Sequence, residues 1–477
     1  MANRLNRRQA ITNLGALASV HIVSPHVLGG PGKIAPSDSV NVALVGAGGR
    51  GLQNMRSLMS IPGVRITAIA DPAKRWDLRH FYYGGSAGSE VATEILAEHH
   101  RKQESSTFEP PEIFRDHREL IDASEKRFDA VLCATPDHLH AKVTLDAMVA
   151  GKAVYCEKPL THNVAESRAV FAALDAHPVA TQMGNQGHSK DTIRQTCEWL
   201  WAGAIGTVRE VHAWVPATRW NPGRLHPPTE PQDLPAGLDW DRWCGPREIV
   251  PFHSAYAPVS WRDFWEFGCG AMGDFGCHDL DSAVWALNLS PPTAIEIHAA
   301  GITDDAMIPF GEQGVFEFDE ASVRGPGNPT GPVTVRWYSG GLRPPRPEGL
   351  PVGEKLPTRG VMFVGSDGFM VCGGAGGTPT LYPESRRRDF ELPEPVLPRS
   401  AGHHRDWIDA IRGGDPPSGH FGVAAVLNEI TLLGVAAVRA QRRLRYDATN
   451  MRFIDDDDAT KLLSGNYRSG WTLPAIQ

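Results

Sequence analysis

The sequence predicts an α/β chain in two parts, a doubly wound parallel sheet followed by an α+β domain with an open, largely antiparallel sheet. Three observations predict it. Compact apolar runs alternate with helical patterns from Ser39 to about residue 185. A glycine-rich loop, GAGGRG (46–51), stands directly between the first run and the first helical pattern. Beyond it the alternation gives way to a proline- and tryptophan-rich stretch, then to separate strand-like runs. The expected boundaries are 1–35 for a leader and linker, 38–183 for the parallel-sheet domain and 184–477 for the second domain.

The elements follow in order. VNVALV (40–45) has the all-apolar character of a strand buried on both faces. GLQNMRSLM places Leu52, Met55, Leu58 and Met59 at helical spacing, and VRITAIAD (64–71) is a second strand ending on an acid. That is one β-α-β unit. A polar helix over about 85–104 and RDHRELID near 118 lead to the strand FDAVLCAT (128–135). PDHLH and the helix AKVTLDAMVAG follow, then strand KAVYCEKP (152–159), helix NVAESRAVFAALDA (163–176) and strand VATQMG. In the second domain AIEIHAAG, PVTVRWYSG and GVMFVGSDGFMVCGG read as strands, the last a hairpin turned at Gly365 to Gly368. GHHRDWIDAIRGG (402–414) and FGVAAVLNEITLLGVAAVRAQRRLRYD (421–447) read as helices, and GGAGG (373–377) as a loop.

Bulk properties exclude several classes. The net charge of -8 lacks the basic excess of a nucleic-acid binder. Arg439, Arg442, Arg443 and Arg445 read as the solvated end of a helix. Seven cysteines, an odd number with no CxxC, indicate neither a disulfide framework nor a zinc ribbon. Past the leader no segment approaches eighteen unbroken apolar residues, so no membrane span is expected in the mature chain. The first thirty residues stand apart: Arg7-Arg8 precede AITNLGALASVHIV, which resembles a twin-arginine leader and implies export to the periplasm. Ala10 replaces the usual aromatic and no clean A-x-A site follows, so a cytoplasmic location stays open.

Each glycine of the loop has a task. Gly46 permits the tight turn, Gly48 lets the backbone approach a pyrophosphate, and Gly51 lets helix and strand pack closely. The helix start offers N–H groups to phosphate. Asp71, twenty residues past Gly51, is placed to accept both ribose hydroxyls, which favours NAD over NADP, although Lys74 and Arg75 keep NADP possible.

TPDHLH (135–140), AGKAVYCEKPL (150–160) and the glycine loop, in that order and spacing, resemble the Gfo/Idh/MocA oxidoreductases. The leader, MGNQGHS (183–189) and GAMGDFGCHDLD (270–281) resemble its exported branch. The resemblance implies a Rossmann domain, a sheet domain closing over the nicotinamide, a sugar, polyol or sugar-derivative substrate, and homo-oligomers through the sheet domain. It also implies that Thr135, Pro136, His138 and His140 touch the cofactor. Gly49, Arg50, Glu157, Lys158 and Asn185 complete the expected cofactor set.

Lys158, at the carboxyl edge of the sheet, is expected to hold the reacting hydroxyl or the alkoxide forming from it; the alternative is a surface ion-pairing lysine. Asp274 and His278, four apart, share a helix face. On the family pattern His278 takes the hydroxyl proton and Asp274 fixes its tautomer; the alternative is a capping Asp and a core His. His188, with Asn185 and Gln186, is expected at the cleft as a further catalytic group. No metal site is expected, since Asp274, His278, Asp279 and Asp281 lack the support of an HxxxH or cysteine cluster. The tryptophans offer either core or flat faces for sugar rings.

An exported dehydrogenase has no soluble nicotinamide pool. The expected activity is therefore hydride transfer between a tightly held NAD and a sugar, polyol or glycoside hydroxyl. The runner-up is a redox-neutral glycosidase, in which oxidation at C3 acidifies the C2 proton, the aglycone is eliminated, water adds and the ketone is re-reduced. A non-catalytic sugar-binding protein is the third reading.

Overall fold

The computed structural model describes residues 38–102, 108–123, 127–319 and 331–476. The leader with Arg7 and Arg8 lies outside the described residues.

The first domain runs β1 (Val40–Val45), α1 (Gly49–Met59), β2 (Val64–Ala70), β3 (Trp76–Asp77), β4 (Ser86–Ala87), α2 (Ser89–Lys102), β5 (Glu112–Phe114) and α3 (His117–Asp122). It continues β6 (Ala130–Cys133), α4 (Asp137–Val149), β7 (Ala153–Cys156), α5 (Val164–Ala176) and β8 (Thr181–Met183). Its six-stranded sheet has the order β5-β2-β1-β6-β7-β8, every pair parallel. β1, β6 and β7 are apolar because both faces are covered, and the order reverses between β1 and β6, where open α/β sheets form a ligand crevice.

The second domain runs α6 (Asp191–Trp201), β9 (Val208–Trp214), α7 (Trp240–Cys244), α8 (Gly270–Asp279), α9 (Asp281–Leu287), β10 (Ala294–Ala300), β11 (Gly311–Phe318), β12 (Val333–Tyr338), β13 (Gly360–Gly365) and β14 (Gly368–Gly373). It ends β15 (Pro379–Tyr382), α10 (Glu384–Asp389), α11 (His403–Ile411), α12 (Phe421–Ala440), β16 (Leu444–Asp447), β17 (Arg452–Phe453) and α13 (Asp457–Lys461). Nine strands form one sheet, β15-β14-β13-β9-β12-β11-β10-β16-β17, antiparallel except where β9 meets β12. The hairpin of β13 and β14 turns at Ser366-Asp367, between the two glycines that the sequence singled out.

The expected helix over 421–447 is corrected. It stops at Ala440, Gln441 takes a left-handed φ of 53°, and 444–447 form a strand. The arginines there are not a bare solvated end, because Arg442 pairs with Asp456, Arg443 with Glu317 and Arg445 with Asp455. α12 is apolar nearly all round (mean hydropathy 1.9), with 83% of its most apolar window buried in the protein. It packs on α5 of the first domain and on α8 and β10 of the second. α11 also returns to the first domain, where Trp407 and Ile408 are fully buried in the core formed by β1, α1 and β2.

Candidate active site

A cleft of about 420 Å³ opens at the carboxyl edge of the parallel sheet, lined by both domains. Its floor is the glycine loop. Gly46 has φ +90°, and a Cβ on it would lie 2.7 Å from the Ala134 carbonyl carbon. A Cβ on Gly51 would lie 2.0 Å from the Gly46 oxygen, so α1 starts hard against the strand end. Gly48 faces open space. The first N–H groups of α1 have no intrahelical acceptor, and the helix end is positive. Asp71, just past β2, accepts from the amides of Ala47 (2.6 Å) and Ala73 (2.8 Å) and lines the cleft. Burial pushes its carboxyl up to about 6 against those two donors. Arg75 turns away to Glu94 and Glu90. Bare backbone at Gly48, free amides and a terminal acid fit an adenine dinucleotide, with the pyrophosphate at the loop and ribose hydroxyls at Asp71.

The other end of the cleft is built by both domains. Lys158 follows β7; its Nζ donates to the Asp274 carbonyl (2.9 Å) and pairs with the Asp274 carboxylate on α8. Burial would raise that carboxyl, but Lys158 and Arg262 hold it well below the carboxylate range. This corrects the expected Asp274–His278 bond: the two share a helix face, yet the carboxylate turns to the ammonium. The Nδ1 atom of His278 is buried without a partner. Burial, with the charges of Lys158 and Arg359, holds its pKa well below the ordinary value, so the ring is neutral at neutral pH. Glu157 points beneath the loop, accepting from Arg50 Nε (2.9 Å), Asn54 Nδ2 (2.8 Å) and Gln186 Nε2 (3.0 Å). Burial opposes its ionisation, but Arg50 and Asn54 hold it at about 2. Arg50 and Glu157 thus line the cleft as a mutual ion pair.

Gly46, Gly48, Gly49, Arg50, Asp71, Thr135, Pro136, His140, Glu157, Lys158, Asp274 and His278 all line the cleft. Gly51 lies behind it, packed against the Gly46 carbonyl. Three expectations are corrected. His138 is buried away from the cleft, its ring nitrogens 3.3 Å from the Phe267 carbonyl and 3.0 Å from the Trp243 carbonyl. Burial drives its pKa down to about 3. Asn185 and His188 are buried on Asp281, through Asn185 Nδ2 (3.1 Å) and His188 Nδ1 (2.8 Å), and His188 stacks on Trp285. Their loop descends into the second domain's core, and only Gln186 of the segment reaches the cleft.

Cys133, His140 and Cys156 bring potential metal donors within 4.8 Å of one another. Both ring nitrogens of His140 already face carbonyls, of Pro159 at 2.6 Å and of Thr135 at 2.9 Å. A neutral ring donates to one of them, and the charged ring to both. Burial works against that charge, but Cys133 and Asp137 raise the pKa. The ring ties the end of β6 to the turn behind Lys158.

Sequence reasoning missed Trp76, Tyr82, Tyr83, Asp137, Arg262 and Arg359, all in the cleft wall. Arg359 is anchored on Asp279 (2.7 Å). Tyr83 packs on Gly49, Tyr82 on Tyr83 (ring centroids 3.9 Å) and Tyr82 on Trp220 of the second domain (5.5 Å). The aromatic run in RWDLRHFYYGG and the WRDFW segment were the available signals.

A glycine loop at a sheet switch point, facing a lysine from one domain and an imidazole from the other, defines a two-domain nucleotide-binding protein of the oxidoreductase kind. The chain belongs to the Gfo/Idh/MocA oxidoreductase family: residues 40–185 match its NAD-binding Rossmann domain and 217–320 its C-terminal α/β domain, together more than half of the chain. The chain is 25% identical to levoglucosan dehydrogenase of Pseudarthrobacter phenanthrenivorans over 62% of each chain. It is 24% identical to the NADP-linked D-xylose 1-dehydrogenase of Haloarcula marismortui over 49% of this chain and 54% of that one. The match thus spans less than two thirds of either relative. A levoglucosan dehydrogenase solved with NADH and levoglucosan shares the fold, with a TM-score of 0.52 at 17% identity over 86% of this chain and 99% of that one.

Proposed function

We propose that the protein oxidises or reduces a sugar, polyol or glycoside hydroxyl with a tightly held NAD. The observation that carries this is the meeting of Lys158 and His278, from separate domains, in the cleft floored by the glycine loop. The sugar dehydrogenases among its relatives support the substrate class. A bound nicotinamide dinucleotide supplies the two-electron acceptor or donor. The loop amides and Asp71 hold it. Lys158 Nζ, already oriented by Asp274, donates to the reacting oxygen and stabilises negative charge there. The neutral imidazole of His278 takes the hydroxyl proton in oxidation and returns it in reduction. Tyr82 and Trp220 cover the mouth and exclude water.

Mass spectrometry of nucleotide released by denaturing the purified protein, then absorbance at 340 nm with candidate sugars, tests the reading. NAD(H) with a ketosugar product is expected; no nucleotide and no turnover would overturn it. A redox-neutral glycosidase is the second reading, favoured by Asp137, a further cleft-lining carboxyl that burial pushes up to about 6, opposed by His140 and Arg262. It requires cleavage of a nitrophenyl glycoside without added NAD. Export by the Arg7-Arg8 leader and a homo-oligomer through the nine-stranded sheet belong to the same proposal; cell fractionation and light scattering test them.

A further inference from the structure

Arg262 is a cleft cation without a carboxylate of its own, unlike Arg50 and Arg359, which pair with Glu157 and Asp279. Its side chain is 17% exposed, it lines the cleft, and its guanidinium lies over Trp261 (4.1 Å) and near Trp220 (5.7 Å). Nε is buried with no hydrogen-bond partner, and the bond recorded for the group runs from Nη1 to the Val259 carbonyl, long at 3.4 Å. The acid beside it is Asp274, whose Oδ1 is 3.8 Å from Nε but is already paired with Lys158. The other carboxylates near the cleft have partners of their own: Glu157 has Arg50, Asp279 has Arg359, and Asp71 has two amides. Asp137 accepts the Cys269 amide (3.2 Å) and holds its proton up to about 6. The reacting end therefore presents an ammonium and a guanidinium to one shared carboxylate.

A small recess opens beyond this point, lined by Thr218, Gly270, Ala271 and Ile308, with Arg262 and Asp274 at its junction with the cleft. Its volume of about 10 Å³ suits one water-sized group and not a second sugar ring. Thr218 Oγ1 is committed to the Phe310 carbonyl, and Arg262 is the cationic side chain in the lining.

We propose that the substrate is a sugar acid, a uronic acid or its glycoside, whose carboxylate lies in the cleft against Arg262, at the mouth of this recess, while a ring hydroxyl on the same sugar meets Lys158 and His278. Both cations flank the Asp274 carboxylate, so a single pyranose ring reaches both. A guanidinium matches the planar carboxylate by paired N–H donors, and a neutral hydroxymethyl leaves it unpaired in a poorly hydrated site. Arg262 is thus a specificity-determining residue. This rests on the reading of the cleft as a sugar oxidoreductase site.

The test uses the purified protein with its own nucleotide. Quenching of tryptophan fluorescence, reported by Trp220 and Trp261 beside Arg262, gives Kd for glucuronate and for glucose, and for their methyl glycosides to separate free acid from glycoside. Absorbance at 340 nm gives the corresponding rate of single-turnover reduction of the bound nucleotide. Glucuronate, free or glycosidic, is expected to bind tighter than its neutral counterpart by on the order of tenfold or more. In Arg262→Met the ratio is expected to collapse towards one, and Arg262→Lys to retain part of it; nucleotide retention reports that each variant is folded. Equal Kd values in the parent protein, or an unchanged ratio in Arg262→Met, overturn the inference. Turnover of neutral sugars without acid preference sinks it and leaves the oxidoreductase reading standing. Acid-selective binding without redox turnover does the reverse.

Discussion

Lys158 serves two partners, Asp274 in the structure as it stands and the reacting oxygen in the proposed chemistry. Lys158→Ala is expected to lower kcat at least about a hundredfold while nucleotide stays bound; a near-normal rate removes it from the mechanism. Asp71→Ala is expected to loosen NAD more than NADP in equilibrium dialysis, since the acid disfavours a 2′-phosphate, and equal loosening would mean that the ribose contact is misassigned. His278 must be neutral to accept a proton. Because burial and Lys158 lower its pKa, the acid limb of kcat/KM is expected below the ordinary histidine range, with a flat profile through neutrality. Lys158, Asp71 and the loop glycines were legible because each is fixed by an adjoining strand end. His138, Asn185 and His188 were not, since a sequence places a loop at a sheet edge without saying which side chains turn inward. Arg262 and Arg359 come from segments whose meeting with Lys158 is a product of tertiary packing.

At the level of elements, the β3–β4 hairpin carries Tyr82 and Tyr83 across the cleft to Trp220, a ring contact between the two domains. Removing both ends in Tyr82→Ala/Trp220→Ala is expected to speed loss of nucleotide on dialysis by about tenfold, given that each ring contact is worth about 0.5–1.5 kcal/mol. Unchanged retention would show that the hairpin does not bar the exit. Gly51→Ala is expected to cost about 1–3 kcal/mol by overpacking, because its Cβ falls 2.0 Å from the Gly46 oxygen. Parallel strands and their helices read well from apolar runs, α5 included, although Asn163, read as its first residue, is its cap. β9 and β11 escaped notice: VREVHAW and GEQGVFEF mix polar with apolar residues because one sheet face is only part covered. The overrun of α12 had a local cause, since RAQRR carries helix-forming residues and the left-handed turn at Gln441 is set by the strand that follows.

Across the whole molecule the charge state of buried groups sets the acid limit of stability. His138 and His403 titrate at about 3 and His404 at about 4, and His162 is lowered as well, each chiefly through burial. Their folded values lie below the ordinary 6.5, so on falling pH the unfolded chain takes up protons first and stability is lost from about 6.5 downwards. Asp71 and Asp137, raised to about 6, and Glu312, raised to about 7, act oppositely and return stability between those values and the ordinary carboxylate range. The histidine shifts are wider and more numerous, so Tm is expected to fall between pH 6.5 and about 4, then more steeply as Glu157 protonates. A Tm that rises over that interval would contradict this balance. A further consequence comes from α11, which places Trp407 within the nucleotide lobe from more than two hundred residues downstream of β8. During synthesis that lobe waits, with a gap in its wall, until residues 403–411 have cleared the ribosome. Nucleotide capture is then a late, post-translational event, and a chain cut at residue 400 should emerge unable to keep its dinucleotide.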